Sequence, residues 1–127
     1  MRSACRRRGF TLIELLVVMA VVSLLLSIAA PRYFRSVDLA REAALRQDLA
    51  VMRDAIDKHF ADTGRYPASL EELVAQRYIR RVPADPLTES SETWVIEPPA
   101  DRDLGSVYDV KSGAAGAARD GTAYASW

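Results

Sequence analysis

Apolar residues fall along this chain in three different rhythms. From Phe10 to Ala30 they are nearly continuous, interrupted only by Thr11, Glu14, Ser23 and Ser27, and Pro31 closes the run. As a helix rising ~1.5 Å per residue the run is roughly 31 Å long. That matches a bilayer's hydrocarbon core of about 30 Å. From 32 to 63 the rhythm is helical. Leu45, Leu49, Met52, Ile56 and Phe60 recur at intervals of four, three, four and four, which is one apolar helical face. Charged residues such as Arg41, Asp48, Arg53 and Asp57 occupy the other faces. The pattern predicts a second helix, or a continuation of the first past a kink at Pro31, where the ring removes an i→i−4 bond. Glu42 and Arg46 stand as an i,i+4 pair in the better orientation. Thr63-Gly64 stops the helix, with Pro67 just beyond.

From 64 to 127 the pieces are shorter. Ser69-Leu70-Glu71-Glu72 reads as a capping box opening a short helix to about Gln76. Pro83-Ala84-Asp85-Pro86 reads as a loop. Thr93–Glu97 and Ser106–Val110 carry β-branched and aromatic residues and predict two strands. Pro98, Pro99 and Gly105 between them suggest a hairpin with a long loop. Ser112 to Gly121 is rich in Gly and Ala and has no periodicity. The fold class is therefore α+β. A long N-terminal helix, one half membrane-spanning and the other amphipathic, packs on a small antiparallel β-sheet.

Composition narrows the function classes. The chain has 127 residues, of which 50% are hydrophobic and 27% charged, which excludes a disordered or collagen-like chain. The formal net charge is zero, so the total shows no basic excess of the kind that marks a nucleic-acid partner. The charge is unevenly placed. Arg2, Arg6, Arg7 and Arg8 all precede the apolar run, and the rest of the chain has 13 basic against 17 acidic residues. Positive flanking charge predicts a cytoplasmic N-terminus, with the C-terminal part on the far side of the membrane. Cys5 is the single cysteine and His59 the single histidine. An internal disulfide and a C-x-x-C motif are therefore excluded.

Glu14 is the informative residue within the apolar run. A carboxylate at the centre of a membrane helix costs ~2.5–3.5 kcal/mol on insertion scales, and such residues usually carry function. The bland alternative places Glu14 near the helix end, in contact with headgroup water. The junction Gly9-Phe10 lies between the basic head and the apolar run. Cleavage there would leave a new amine on Phe10 and make Glu14 the fifth residue of the product. Amine and carboxylate would then lie near the same membrane boundary, about one turn apart when on a single helix. In neighbouring, slightly offset helices they could pair between subunits, which sets register more than it adds stability.

Arg8-Gly9-Phe10-Thr11-Leu12-Ile13-Glu14-Leu15-Leu16-Val17 resembles the class III signal of type IV pilins and type II secretion pseudopilins. The resemblance implies a pilin-like fold in three parts. Residues 1–9 are a basic leader peptide that is removed, 10–30 a transmembrane and assembly helix, and 31–127 a periplasmic globular domain. It implies cleavage between Gly9 and Phe10 by an inner-membrane prepilin peptidase and N-methylation of Phe10. It also implies pairing of Glu14 with a neighbour's Phe10 amine, and a helix kink at Pro31. The partners it implies are further copies in a helical homo-oligomeric filament, other pseudopilins, an assembly platform with its ATPase, and the membrane, with no nucleic acid. The location it implies is the bacterial inner membrane, single-pass, followed by a periplasmic filament.

Three further segments resemble the G-type (major) pseudopilins in order along the chain. They are Asp62-Thr63-Gly64-Arg65-Tyr66-Pro67, Arg80-Arg81-Val82-Pro83-Ala84-Asp85-Pro86 and Val107-Tyr108-Asp109-Val110-Lys111-Ser112-Gly113. There are two departures. Leu87-Thr88 follows Asp85-Pro86 where that group usually has an aromatic residue and a glycine. The loop after the last segment carries calcium in that group, and here Ser112 and Asp120 match in place while the residues between them do not. Calcium wants six to eight oxygen ligands, and 112–120 offers one carboxylate. No cofactor is expected apart from that possible calcium.

No catalytic constellation stands out. His59 reads as a half-exposed helix residue, Asp54/Asp57 and Glu71/Glu72 as solvated faces, and Ser112 and Ser126 have no neighbouring base. Trp94, Tyr108, Tyr124 and Trp127 read as sheet core, with Trp127 docked onto the sheet. The expectation is no enzyme, and a filament-forming type II secretion pseudopilin as the function. The alternative is a type IV pilus or competence pilin. Three other readings compete. They are a secretory signal peptide cut near Ser27-Ile28-Ala29, a plain single-span anchor, and a membrane-tethered periplasmic binding domain that never polymerises. The run exceeds the usual h-region of about 7–15 residues, and Glu14 and Pro31 fit a signal peptide poorly. The plain anchor leaves Gly9-Phe10 and Glu14 without a role, and the tethered domain stays open.

Overall fold

The computed structural model describes residues 8–127. Arg2, Cys5, Arg6 and Arg7, and with them most of the expected leader, lie outside the described residues. Helix α1 (Leu12–Thr63) is 52 residues long. Thr11 opens it: its hydroxyl accepts from the Glu14 N–H at 3.2 Å and its carbonyl accepts from the Leu15 N–H at 3.2 Å. That is the N-cap arrangement. Pro31 lies inside α1, which runs on through it as one element. Gly64 ends the helix at φ 72°, its N–H donating to the Phe60 carbonyl at 2.8 Å. A residue without a Cβ suits that left-handed position.

The chain divides within α1 into two units, up to Asp38 and from Leu39 to Trp127. In the first, the apolar side chains are exposed, Phe10 by 86%, Leu16 by 61% and Leu24 by 64%. An 18-residue window of α1 is apolar enough to cross a membrane. The two serines of the apolar run turn back along the helix. Ser23 donates to the Met19 carbonyl and Ser27 to the Ser23 carbonyl, both at 2.8 Å. Each hydroxyl is thus satisfied by the preceding turn and presents little polarity to apolar surroundings.

The second unit has its own core. The face read from the sequence is the buried one as far as Ile56: Leu45, Leu49, Met52 and Ile56 are at most 2% exposed, while Phe60 at its end is half-buried and stacks on Tyr66. Leu70 and Leu73 of α2 (Leu70–Ala75) meet them, together with Ile79, Trp94, Val107 and Val110. The Ser69 hydroxyl accepts from the Glu72 N–H at 3.3 Å, as the capping box requires. Glu72 reaches back one residue further than the usual box, to the Ala68 N–H at 2.5 Å.

Strands β1 (Val95–Glu97) and β2 (Asp109–Lys111) pair antiparallel, with Ile96 opposite Val110. Both differ from the sequence expectation for a local reason. Ser106 and Val107 donate their N–H groups to the Pro67 carbonyl, so the second strand starts only after Tyr108 donates to Glu97. Thr93 and Trp94 precede the first strand, and their side chains bond the preceding loop: the Thr93 hydroxyl bonds Thr88 and Ser90, and the Trp94 indole donates to the Pro83 carbonyl at 2.8 Å. The long hairpin loop holds a 3₁₀ turn, Arg102–Leu104, and then Gly105. At φ 135° a Cβ on Gly105 would run into the Tyr66 carbonyl oxygen.

Candidate functional site

The N-terminal candidates sit on the exposed unit. Gly9 and Phe10 precede the first helical residue, and among the described residues, apart from Gly9 itself and its chain neighbours, no atom lies within 4 Å of where a Gly9 Cβ would be. A non-helical, uncrowded peptide is a form that a protease can grip. Glu14 is exposed on the first turn of α1, three residues after the capping Thr11. Thr11-Leu12-Ile13-Glu14 therefore has capping-box spacing, a signal that the sequence reading did not use. A carboxylate in the first turn also faces the positive end of the helix dipole. The helix start thus suits a negative charge before any partner is considered.

The C-terminal candidates are occupied by the protein itself. Ser112 is fully buried; its hydroxyl donates to Asp85 Oδ2 at 2.5 Å and accepts from the Ala114 N–H at 3.1 Å. Asp85 is also fully buried, its other oxygen accepting from the Leu87 N–H at 2.8 Å. This Asx turn makes Asp85 a central residue of the loop, where the sequence reading had it only as part of a motif. Asp120 accepts from the Thr122 hydroxyl at 2.6 Å and the Thr122 N–H at 3.0 Å, and its second oxygen lies 3.7 Å from Arg46. The Thr122 hydroxyl first, then the Thr122 amide and the Arg46 charge, hold the Asp120 carboxyl below its ordinary value. Among the described residues no three His, Cys, Asp or Glu side chains gather as a metal-binding group. With Ser112 turned to Asp85 and Asp120 turned to Thr122, this side-chain set does not fit a six- to eight-oxygen cation.

Three other expectations change. His59 is buried, 3% exposed, rather than half-exposed. It lies three residues beyond Ile56, on the apolar face, and a count of hydrophobic residues passes over it. Its Nδ1 donates to the Arg65 carbonyl at 2.8 Å, its ring meets Tyr78 edge-on, and Glu72 lies 3.8 Å from Nε2. The histidine ties the end of α1 to the loop that follows it, through the Arg65 carbonyl. Glu42 and Arg46 do not turn to each other; both reach the C-terminal segment. Among the four aromatics, Trp94 is core, Tyr108 is 53% exposed, and Tyr124 and Trp127 pack against the core that includes Val110 of β2, with Arg46 of α1 lying over the Trp127 ring. Desolvation pushes Asp48 above the ordinary carboxylate value, and the nearby Asp85 charge adds to the push.

Known proteins resemble the chain in both units. A family profile described as "Prokaryotic N-terminal methylation motif" matches residues 5–30. The type II secretion system core protein G of Escherichia coli (strain K12) is 30% identical over 102 residues, covering 68% of this chain and 70% of that protein. The core protein G of Pectobacterium carotovorum subsp. carotovorum is 32% identical over 101 residues, 67% of this chain and 65% of that protein. The type IV major pilin protein PilA of Myxococcus xanthus (strain DK1622) is 31% identical over 68 residues, 54% of this chain but 31% of that protein. No solved structure matches significantly. These relatives are named for a secretion-system core protein and a pilin, not for enzymes. A methylation motif on the apolar helix is joined here to a likeness reaching across two thirds of the chain, and on that evidence the chain belongs to the core protein G family of type II secretion pseudopilins.

Proposed function

We propose that this chain is a precursor of the filament-forming pseudopilin of a type II secretion system. In this reading it is cleaved between Gly9 and Phe10, N-methylated on Phe10 and assembled through residues 10–30. The observation that carries the reading is the exposed apolar run with one carboxylate, Glu14, placed four residues after Phe10. The run holds the unassembled subunit in the inner membrane, with the arginines on the cytoplasmic side and residues 31–127 in the periplasm. In the filament the same run exchanges lipid for neighbouring helices. Both surroundings are apolar, so the net hydrophobic gain is small. An unpaired Glu14 carboxylate at membrane depth is costly, up to about 2.5–3.5 kcal/mol for a charge at a helix centre and less towards the helix end. Pairing with the Phe10 amine of the next subunit removes that cost only in the correct register. A head-to-tail contact of this kind does not close and produces an open helical polymer. Since hydrophobic transfer supplies little, the energy comes from an assembly platform and its ATPase, and the other partners are further pseudopilins and the prepilin peptidase.

Two measurements test this. The membrane-extracted protein, expressed with a prepilin peptidase, has a mass and N-terminal residue corresponding to a methylated Phe10; without the peptidase it keeps its leader. A start near Ala30 or Pro31 overturns the reading in favour of a secreted domain. Glu14→Ala inserts normally and loses incorporation into filaments; a normal filament yield from that variant overturns the pairing. The type IV pilin reading is the weaker one, because that likeness covers under a third of the pilin.

A further inference from the structure

The C-terminal segment is gripped by one stripe of α1. Glu42, Arg46 and Arg53 are spaced by four and seven residues, which places them on one helical face. Glu42 Oε1 accepts from the Arg119 N–H at 3.2 Å and from the Tyr124 hydroxyl at 3.1 Å. Arg46 lies over the Trp127 ring, 4.1 Å from its centre, and 3.7 Å from Asp120. Arg53 does the most. Its Nε donates to Asp109 Oδ1 at 2.7 Å, and its Nη2 donates to the Val110 carbonyl at 3.0 Å and the Trp127 carbonyl at 2.5 Å. The Trp127 indole in turn donates to the Thr122 hydroxyl at 2.8 Å, closing the loop on itself.

We propose that this chain fastens its C-terminal segment, residues 112–127, to α1 through this arginine–aromatic clasp, and needs no bound cation to do so. A metal in such a loop would gather oxygen atoms from separate stretches of chain around one positive charge. Arg53 performs that task. It collects one carboxylate and two carbonyls from β2 and the tail on a fixed fork of donors. Arg46 adds a second positive charge stacked on an aromatic face, a contact whose strength rises as water is excluded. The carboxylate a cation would need, Asp120, already faces Thr122 and Arg46. A divalent ion there would meet repulsion from the guanidinium beside it.

The test is hydrogen exchange on the detergent-extracted full chain, unassembled, so its outcome is independent of the filament reading. Wild-type residues 112–127 are equally protected in millimolar calcium and in excess chelator. Arg53→Ala raises their exchange about tenfold or more, while Leu45–His59 keeps its protection. Arg53→Lys does not restore the wild-type rate, because one ammonium cannot span three acceptors. Should Arg53→Ala unfold the whole unit, Arg46→Ala, a more exposed position, still gives severalfold faster exchange confined to the segment. Calcium-dependent protection of the wild type overturns the proposal. So does unchanged exchange in Arg53→Ala or, where that variant unfolds, in Arg46→Ala.

Discussion

Two stretches of one helix, 12–30 and 45–59, are both rich in large apolar residues and meet opposite fates. Leu16 is 61% exposed and Leu24 64%, while Leu45 is fully buried and Leu49 2% exposed. Hydrophobic surface of that extent is rarely left to water. In the second stretch the rest of the chain covers it. In the first the covering must come from outside, as lipid or as other subunits. Sequence marks the difference in advance: the second stretch is apolar on one face and the first on every face, and an all-round apolar helix has no side to give to water.

The sharpest way to break this comparison is to truncate one leucine in each stretch. Leu45→Ala is expected to destabilise the globular unit by about 2–5 kcal/mol, the range for a buried leucine, read as a lower melting temperature in detergent. Leu16→Ala is expected to leave that temperature unchanged. Equal effects from the two would mean that the first stretch also contributes to the fold of the unit.

A second substitution sharpens the comparison from the loop side. Gly105→Ala puts a Cβ into the Tyr66 carbonyl at a φ that L-residues rarely adopt. The cost is about 1–3 kcal/mol for the backbone alone, measurable by denaturant unfolding. A neutral result would show that the hairpin loop relaxes freely.

The smallest effect belongs to the faces of the second stretch. Desolvation, followed by the charge of Asp85, raises the Asp48 carboxyl. A carboxyl whose folded value exceeds its unfolded one opposes folding while ionised, and this penalty fades as the pH falls through the raised value. Asp48→Asn is therefore expected to stabilise slightly at neutral pH, by about 0.5 kcal/mol or less, with the gain vanishing in acid. The opposite sign at neutral pH would mean that Asp48 makes a favourable charge contact. Asp120 has the reverse linkage. Its carboxyl is lowered by Thr122 and Arg46, so its contribution holds at neutral pH and is lost as acid protonates it.

Legibility followed the range of the interaction. Leu45, Leu49, Met52 and Ile56 were readable because helical spacing is a local property, and the Ser69 cap and the Gly64 stop were readable for the same reason. The strand limits were not. Pro67 takes the N–H groups of Ser106 and Val107 from about forty residues away in sequence, and nothing near either partner announces it. His59 was misjudged because its burial depends on the Arg65 carbonyl and on Tyr78, which a count of hydrophobic residues does not weigh.

By itself the sequence determined the apolar run, the placement of Gly9, Phe10 and Glu14, and the face of α1 that would be buried. All of these depend on which residue types stand at short, fixed spacings. Tertiary structure alone decided that Asp85 would hold Ser112, that Glu42 and Arg46 would leave each other for the tail, and that Arg53 would join α1 to β2 and Trp127. The reason is geometric. A charged side chain has several acceptors within reach of its own segment, and which of them it keeps is settled only when distant backbone carbonyls and carboxylates are brought beside it and closed off from water.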